Sequence, residues 1–254
     1  MTAQKDPSFK DIINKADLSL PDGAGILFAD YFIKAGKNIK KDALYPLKVF
    51  LLGLWVGLGT ALKKIKLGER ISGVDLVYAL CSYAQKEGKT IFLLGGWQKT
   101  KLGKKLPHHG YLAEKAAKKL KLLYPDLKIV GYTSDFSYKE SDDIRTQDYL
   151  HSCMNEHSIA SIDILLVAYG APMQEKFIVR NMDKIPARLC IGLGGTFDYI
   201  AEYLKRSPKF FINHNLEWFY KIFMQPGRLA RVFTAFPLFP LRVFLDTLKV
   251  GSRN

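Results

Sequence analysis

Two short apolar runs, residues 162–168 and 187–193, flank a polar stretch that opens with Gly170, Pro172 and Gln174. The first run has the length of a buried strand, and the polar stretch predicts a helix starting near Gln174. The second run ends in Gly194-Gly195-Thr196. Strand, glycine turn, helix, strand, glycine turn is the rhythm of parallel α/β units. In such sheets ligands sit outside the carboxyl ends of the strands. An active site is therefore expected at these two turns, within residues 161–208.

The alternation extends toward the N-terminus. Residues 74–86 pattern as a helix with Asp75 near its start, and 90–94 as a buried strand ending in Gly95-Gly96-Trp97. An amphipathic helix over 111–123, a strand over 128–132 and a helix over 142–156 follow. Residues 98–112 form a basic loop whose His108-His109 pair has no carboxylate or cysteine at ligand spacing. Residues 2–17 are expected to be helical, with Phe9, Ile12, Ile13 and Ala16 on one side. A short strand over 18–20 should then be broken by Pro21-Asp22-Gly23, with a new helix over 25–32. Asp22 would thus stand at a strand's carboxyl end, on the rim that carries the two glycine turns. An Asp before Gly is commonly only a turn or N-cap residue, and its place on that rim is what singles it out.

Two segments leave this pattern. Lys34, Lys37, Lys40 and Lys41 lead into an uncharged run of 14 residues, 49–62, which Lys63, Lys64, Lys66 and Arg70 follow. A bilayer span needs ~20 residues. Counting from Ala43 reaches that length only by including Pro46 and Lys48. A crossing would also separate Asp22 from the rest of the rim. A hairpin or helix lying in a membrane interface, anchored by Trp55 and the lysines, is the expectation; an internal core helix and a true span are the alternatives. From residue 205 onward nine Lys or Arg stand against Glu217 and Asp246, interleaved with Phe233, Phe236, Leu238, Phe239, Leu241, Phe244 and Leu245. The expected organisation is a core, 1–204, carrying a membrane-proximal insert at 34–68, and a basic, aromatic-rich helical appendage at 205–254.

Charge and composition narrow the chemistry. A length of 254 residues with 48% hydrophobic content supports one full core. The net charge of +14 calls for an anionic partner: nucleic acid, an anionic membrane surface or a phosphorylated substrate. Cys81, Cys153 and Cys190 are far apart and form no Cys-x-x-Cys pair, which argues for a reducing cytoplasm and against a disulfide scaffold or zinc site. The polar opening MTAQKDPSFKD does not have the pattern of a signal peptide. Residues 192–197 read GLGGTF, short of the dinucleotide fingerprint, and there is no P-loop. The glycine turns at 21–25, 95–96 and 194–195 still offer backbone N–H groups suited to phosphates. No Asp-x-Asp occurs to hold a divalent metal, so a nucleotide-sugar enzyme on this template would neutralise its leaving diphosphate with Arg or Lys. Arg206, Lys221, Arg228 and Arg231 are the candidates, although each taken singly also reads as a solvated charge. Gln174 could make directional bonds to a sugar or uracil and Glu175 could cap the helix, plain capping being the alternative.

The blocks PDGAG, ERISGVDL, FLLGG, YPDLKIVG, DILLVAYGAPMQEKFI, GLGGTFD and KRSPKFF…LEWFYKIFMQPGRLAR resemble, in order from about residue 3 to 231, the bacterial WecG/TagA/CpsF glycosyltransferase family. The resemblance implies a Rossmann-like, mostly parallel sheet with helices on both faces. It implies a metal-independent, inverting transferase that needs no cofactor. The donor would be UDP-N-acetylmannosamine or a related N-acetylhexosamine or uronic acid, and the acceptor undecaprenyl-diphosphate-linked GlcNAc. Teichoic acid linkage-unit or surface polysaccharide synthesis, at the cytoplasmic face of the cell membrane, is the implied setting. Carried over by position, Asp22 is the expected general base. Gly23, Gly95, Gly96, Gln174, Glu175, Gly194 and Gly195 would bind substrate, and Arg206, Lys221, Arg228 and Arg231 would stabilise the departing UDP. Expected partners are the UDP-sugar, the lipid-linked acceptor and an anionic membrane surface, with a homo-oligomer compatible. Nucleic acid is not expected, because the basic residues cluster beside apolar stretches rather than on a binding module. The sequence departs from the family pattern in starting beyond a strand bearing Thr-x-Asn, in carrying 43–62 where a short connection is usual, in Lys221 for Arg, and in Ala201-Glu202 for Ala-Gly. The competing expectation is a non-catalytic, membrane-attached relative that binds nucleotide-sugar or lipid-linked substrate.

Overall fold

The computed structural model describes residues 2–61, 65, 70–97, 111–214, 216–224 and 229–251. In chain order the elements are α1 (Thr2–Lys5), α2 (Pro7–Lys15), α3 (Ala24–Gly36), α4 (Tyr45–Ala61), α5 (Gly73–Lys86), β1 (Thr90–Gly95), α6 (Leu112–Leu123), β2 (Lys128–Thr133) and α7 (Asp143–Glu156). They continue with β3 (Ile162–Ala168), α8 (Met173–Asn181), β4 (Ala187–Gly192), α9 (Thr196–Ile200), α10 (Lys209–Asn213), α11 (Glu217–Met224), α12 (Leu229–Phe233) and α13 (Phe239–Gly251). The four strands are all parallel, in the order β2-β1-β3-β4. The expected α/β sheet with helices on both faces is what the chain forms.

Burial on two faces explains why the central strands are apolar throughout. In β1, Ile91 and Leu93 join α5, α6 and α9 on one face, while Phe92 and Leu94 join α7 and α8 on the other. β3 divides in the same way, with Ile164 and Leu166 on the first face and Leu165 and Val167 on the second. The starts of β1 and β3 are locked by Asp163, which accepts from the Thr90 N–H at 2.9 Å and from its hydroxyl at 3.0 Å. Winding runs outward from β1 to β2 and, in the opposite direction, from β3 to β4. The switch point therefore lies between β1 and β3.

The N-terminal helix over 2–17 is two helices. Asp6 caps α2 by accepting from Phe9 N–H at 3.1 Å, and Pro7 follows in the first turn, so the chain restarts there. Residues 18–20 form no strand, a correction to the expectation. Leu18 is exposed, and Pro21 C=O instead accepts from Ile71 N–H at 3.1 Å. A three-residue apolar segment with no ladder partner stays an extended connection. α4 is one helix, not a hairpin, and no described helix is long and apolar enough to cross a membrane. It packs with α3 and α13 around buried Phe32, Tyr45 and Val49, with Val243, Phe244 and Leu248 closing over them. The Tyr45 hydroxyl donates to Thr247 C=O at 3.3 Å.

Candidate functional site

Four glycines at the carboxyl ends of β1, β3 and β4 adopt left-handed backbone: Gly95 (φ 88), Gly96 (φ 80), Gly170 (φ 88) and Gly194 (φ 59). A side chain is disfavoured there on conformational grounds alone. Close approach adds to this at the switch point. A Cβ on Gly95 would stand 2.7 Å from the Tyr169 ring, and one on Gly96 3.0 Å from Phe197. Gly96 N–H donates to Ala168 C=O at 3.2 Å, joining the ends of β1 and β3 directly. Trp97 stacks on Tyr169 with centroids 5.5 Å apart. Glycine backbone and aromatic rings are thus packed together at the carboxyl ends of β1 and β3, the place where this topology puts ligands.

Gln174 ties the next pair of turns together. It is 3% exposed, and its Oε1 accepts from Gly170 N–H at 3.0 Å and from Gly194 N–H at 2.8 Å. Its Nε2 donates to Glu175 Oε1 at 2.8 Å. Gly192 makes room for this amide, since a Cβ there would lie 2.5 Å from Nε2. Glu175 does not cap α8, whose N-cap is Pro172 without a side-chain bond. Its second oxygen, Oε2, is buried without a hydrogen-bond partner among the described residues.

The rim continues through α5 to Asp22. A Cβ on Gly73, the first residue of α5, would meet the Thr196 hydroxyl at 2.5 Å, so α5 begins directly against the β4–α9 turn. The hydrogen bond from Ile71 to Pro21 then lays the Asp22 loop beside that same helix start. Asp22 is exposed, and among the described residues its carboxylate has no hydrogen bond or ion pair. Gly23, the N-cap of α3, has an ordinary φ of −103° and open space at its Cβ.

Arg206 reaches the same corner. Its guanidinium grips Asp75 with both ends and touches Ser72 Oγ at 3.3 Å. This hydrogen bonding holds the Asp75 carboxyl below the usual carboxylate range. Behind it, Glu217 of α11 pairs with Arg70 and Lys221, each at 2.8 Å. Burial pushes the Glu217 carboxyl up, but Lys221 and Arg70 outweigh it and the net shift is downward. Lys221 also lies 5.9 Å from the centre of the Tyr199 ring. Arg231 belongs to α12, whereas Arg228 lies outside the described residues, as does the His108-His109 pair. No spacing in the sequence marks Ser72 and Asp75 as partners of Arg206, or Arg70 as a partner of Glu217, whereas Glu217 and Lys221 are one helical turn apart. The two cross-chain ion pairs join positions 131 and 147 residues apart.

Burial pushes the Cys81 thiol up to about 12 and that of Cys190 to about 11, and all three cysteines are free. Among the described residues no cluster of three His, Cys, Asp or Glu side chains could hold a metal. A depression of about 310 Å³ is lined by Tyr138, Lys139, Glu140, Met173, Lys176 and Arg180, and includes none of the rim glycines, Asp22 or Arg206. Its Lys176 and Arg180 pair with Asp6 and Asp143. The strand order, which puts ligands at the switch point between β1 and β3, makes the rim rather than this depression the candidate site.

The family model described as "Glycosyl transferase WecG/TagA/CpsF family" matches residues 48–253. The chain is similar to the N-acetylglucosaminyldiphosphoundecaprenol N-acetyl-beta-D-mannosaminyltransferase of Bacillus subtilis (strain 168), with 28% identity over 244 residues, 96% of this chain and 75% of the relative. It is also similar to the protein of the same name from Bacillus spizizenii, with 26% identity over 230 residues, 91% of this chain and 69% of the relative.

Proposed function

This chain belongs to the WecG/TagA/CpsF glycosyltransferase family, and from that we propose that it moves N-acetylmannosamine from UDP to a GlcNAc carried on undecaprenyl diphosphate. The relatives' names supply both sugars and the lipid carrier. The observation that carries the chemistry is the exposed Asp22 carboxylate, without a partner among the described residues, beside the first turn of α5, which also receives Arg206.

In the proposed step Asp22 takes the proton of the acceptor hydroxyl as that oxygen attacks the anomeric carbon of the donor. The bond from that carbon to the UDP oxygen breaks on the opposite face, so the configuration inverts. Negative charge then gathers on the departing diphosphate. Arg206, Lys221, Arg228 and Arg231 neutralise it without a metal, Arg206 first exchanging Asp75 for phosphate oxygens. The glycine turns, free of side chains, let the donor's phosphates come close to the backbone, and Glu175 Oε2, without a partner among the described residues, accepts from a donor-sugar hydroxyl. Residues 1–204 carry the base and donor site, and 205–254 bring the cations. With a lipid-borne acceptor the enzyme works as a peripheral protein on the cytoplasmic face of the cell membrane, in teichoic acid linkage-unit or surface polysaccharide synthesis.

The test is UDP release from UDP-N-acetylmannosamine in the presence of a short-chain GlcNAc-diphosphate-lipid analogue, with and without EDTA. Release should survive EDTA, and Asp22→Asn should lower it by ~10²–10⁴-fold, the usual worth of a general base. Absence of release by the wild type would overturn the proposed activity, and equal release by Asp22→Asn would remove Asp22 as base.

A further inference from the structure

Apart from Lys48 near its start, α4 is almost wholly apolar, yet among the described residues only one side of it is covered. Val49 and Val56 are fully buried against α3 and α13. On the other side Leu47, Phe50, Leu51, Leu54, Trp55 and Leu58 stand about half exposed or more, reaching 60% at Trp55 and 62% at Leu58. Positions 47, 51, 54, 55 and 58 recur at helical spacing, so this is a continuous face rather than scattered residues. Single exposed leucines are ordinary on a protein surface, but a contiguous apolar face marks an interaction site. The helix has 17 residues, a face about 25 Å long. Leu241 and Leu245 of α13, also exposed, flank Phe244, whose ring meets Phe50 at 6.3 Å, so the apolar surface extends onto the neighbouring helix.

Charge selects the occupant. No acidic residue occurs between Asp42 and Glu69, while Lys48, Lys63, Lys64 and Lys66 lie in that interval. A second copy would set this surface against another lysine-flanked face of a chain with net charge +14, which opposes pairing. Lys48 pairs with Asp42 at 2.6 Å, but the sequence around α4 keeps an excess of lysine, and apolar side chains flanked by such an excess match the acyl boundary and headgroups of an anionic bilayer. We propose that the outward face of α4 docks on an anionic lipid surface, the helix lying flat with Trp55 at the headgroup level. The uncovered face carries this inference, which deepens the proposed use of a lipid-borne acceptor and rests on it for its purpose.

The experiment is flotation of the full chain with vesicles of phosphatidylcholine and phosphatidylglycerol, about 2:1, against phosphatidylcholine alone. The variant replaces Leu51, Trp55 and Leu58 together by Gln, which leaves charge and the covered face unaltered. The wild type should float with the anionic vesicles only, and the variant should lose at least about tenfold in vesicle partition while keeping its melting temperature. Wild type that stays at the bottom, a variant that floats as well as wild type, or equal uptake by neutral vesicles would each overturn the inference. So would a wild-type dimer in light scattering that the variant converts to monomer, because the face would then belong to a second copy. UDP release with a water-soluble short-chain acceptor, read without vesicles, should be unchanged in the variant. Flotation without UDP release by the wild type sinks the transferase proposal and leaves the docking face standing.

Discussion

Gln174 Oε1 takes one N–H from the turn after β3 and another from the turn after β4, so a neutral side chain fixes the spacing of both. Removing it strands two backbone donors in a buried place. Gln174→Ala should therefore lower stability by about 1–3 kcal/mol or more, measured as a shift in the urea unfolding midpoint. Gly192→Ala should act in the same direction, because its methyl would arrive 2.5 Å from the Gln174 amide nitrogen and push it off the two turns. An unchanged midpoint in both variants would mean that the turns hold themselves. The sequence drew attention to Gln174 through its place after Gly170 and Pro172. It gave no hint that the amide faces protein backbone, since Gly194 lies 20 residues further on. The cations were legible as residue types, and Glu217 stands one helical turn from Lys221, but the carboxylate that Arg206 meets was not legible. A charge pattern identifies partners only when spacing brings them together, and Arg206 meets Asp75 across 131 residues.

β3 could be read almost to the residue because both of its faces are buried, which writes an unbroken apolar run into the chain. β1 is legible for the same reason. The stretch at 18–20 misleads because two leucines satisfy a strand pattern locally, while a strand exists only where a ladder partner does. α4 was readable as apolar but not as oriented. With hydrophobic residues on all sides, no period distinguishes Val56, which is covered, from Trp55, which is not. That distinction comes from α3 and from α13, whose contacts lie far along the chain. The edge strand β2 shows how tightly an element can be fitted. A methyl on Gly131 would run into the Phe92 ring and come 3.1 Å from Cys153 Sγ. Gly131→Ala should cost about 1–3 kcal/mol by overpacking, read as a lower melting temperature in calorimetry. No change would mean that Phe92 has room to turn.

Across the molecule, the Glu217 pair with Arg70 holds α11 to the start of the α/β core, Lys221 one turn along the same helix supports the same carboxylate, and the two pairs carry a pH dependence. The folded Glu217 carboxyl lies below its ordinary value of 4.5. Its contribution is therefore complete above that value and is lost as pH falls through the depressed folded one. The stability difference between wild type and Glu217→Gln should be full near neutral pH and should shrink below about pH 4, followed by urea unfolding across the range. A difference that stays flat with pH would show that these pairs contribute nothing through ionisation. The packing of α13 on α3 and α4 has a consequence of another kind, in time. Tyr45 and its partner Thr247 are 202 residues apart. At ~5–20 residues per second, a ribosome delivers that cover about 10–40 s after the surface it must close. For that interval the growing chain presents Phe32 and Val49 as well as the outward leucines, an apolar surface open to a chaperone or a lipid face until α13 emerges to cover part of it.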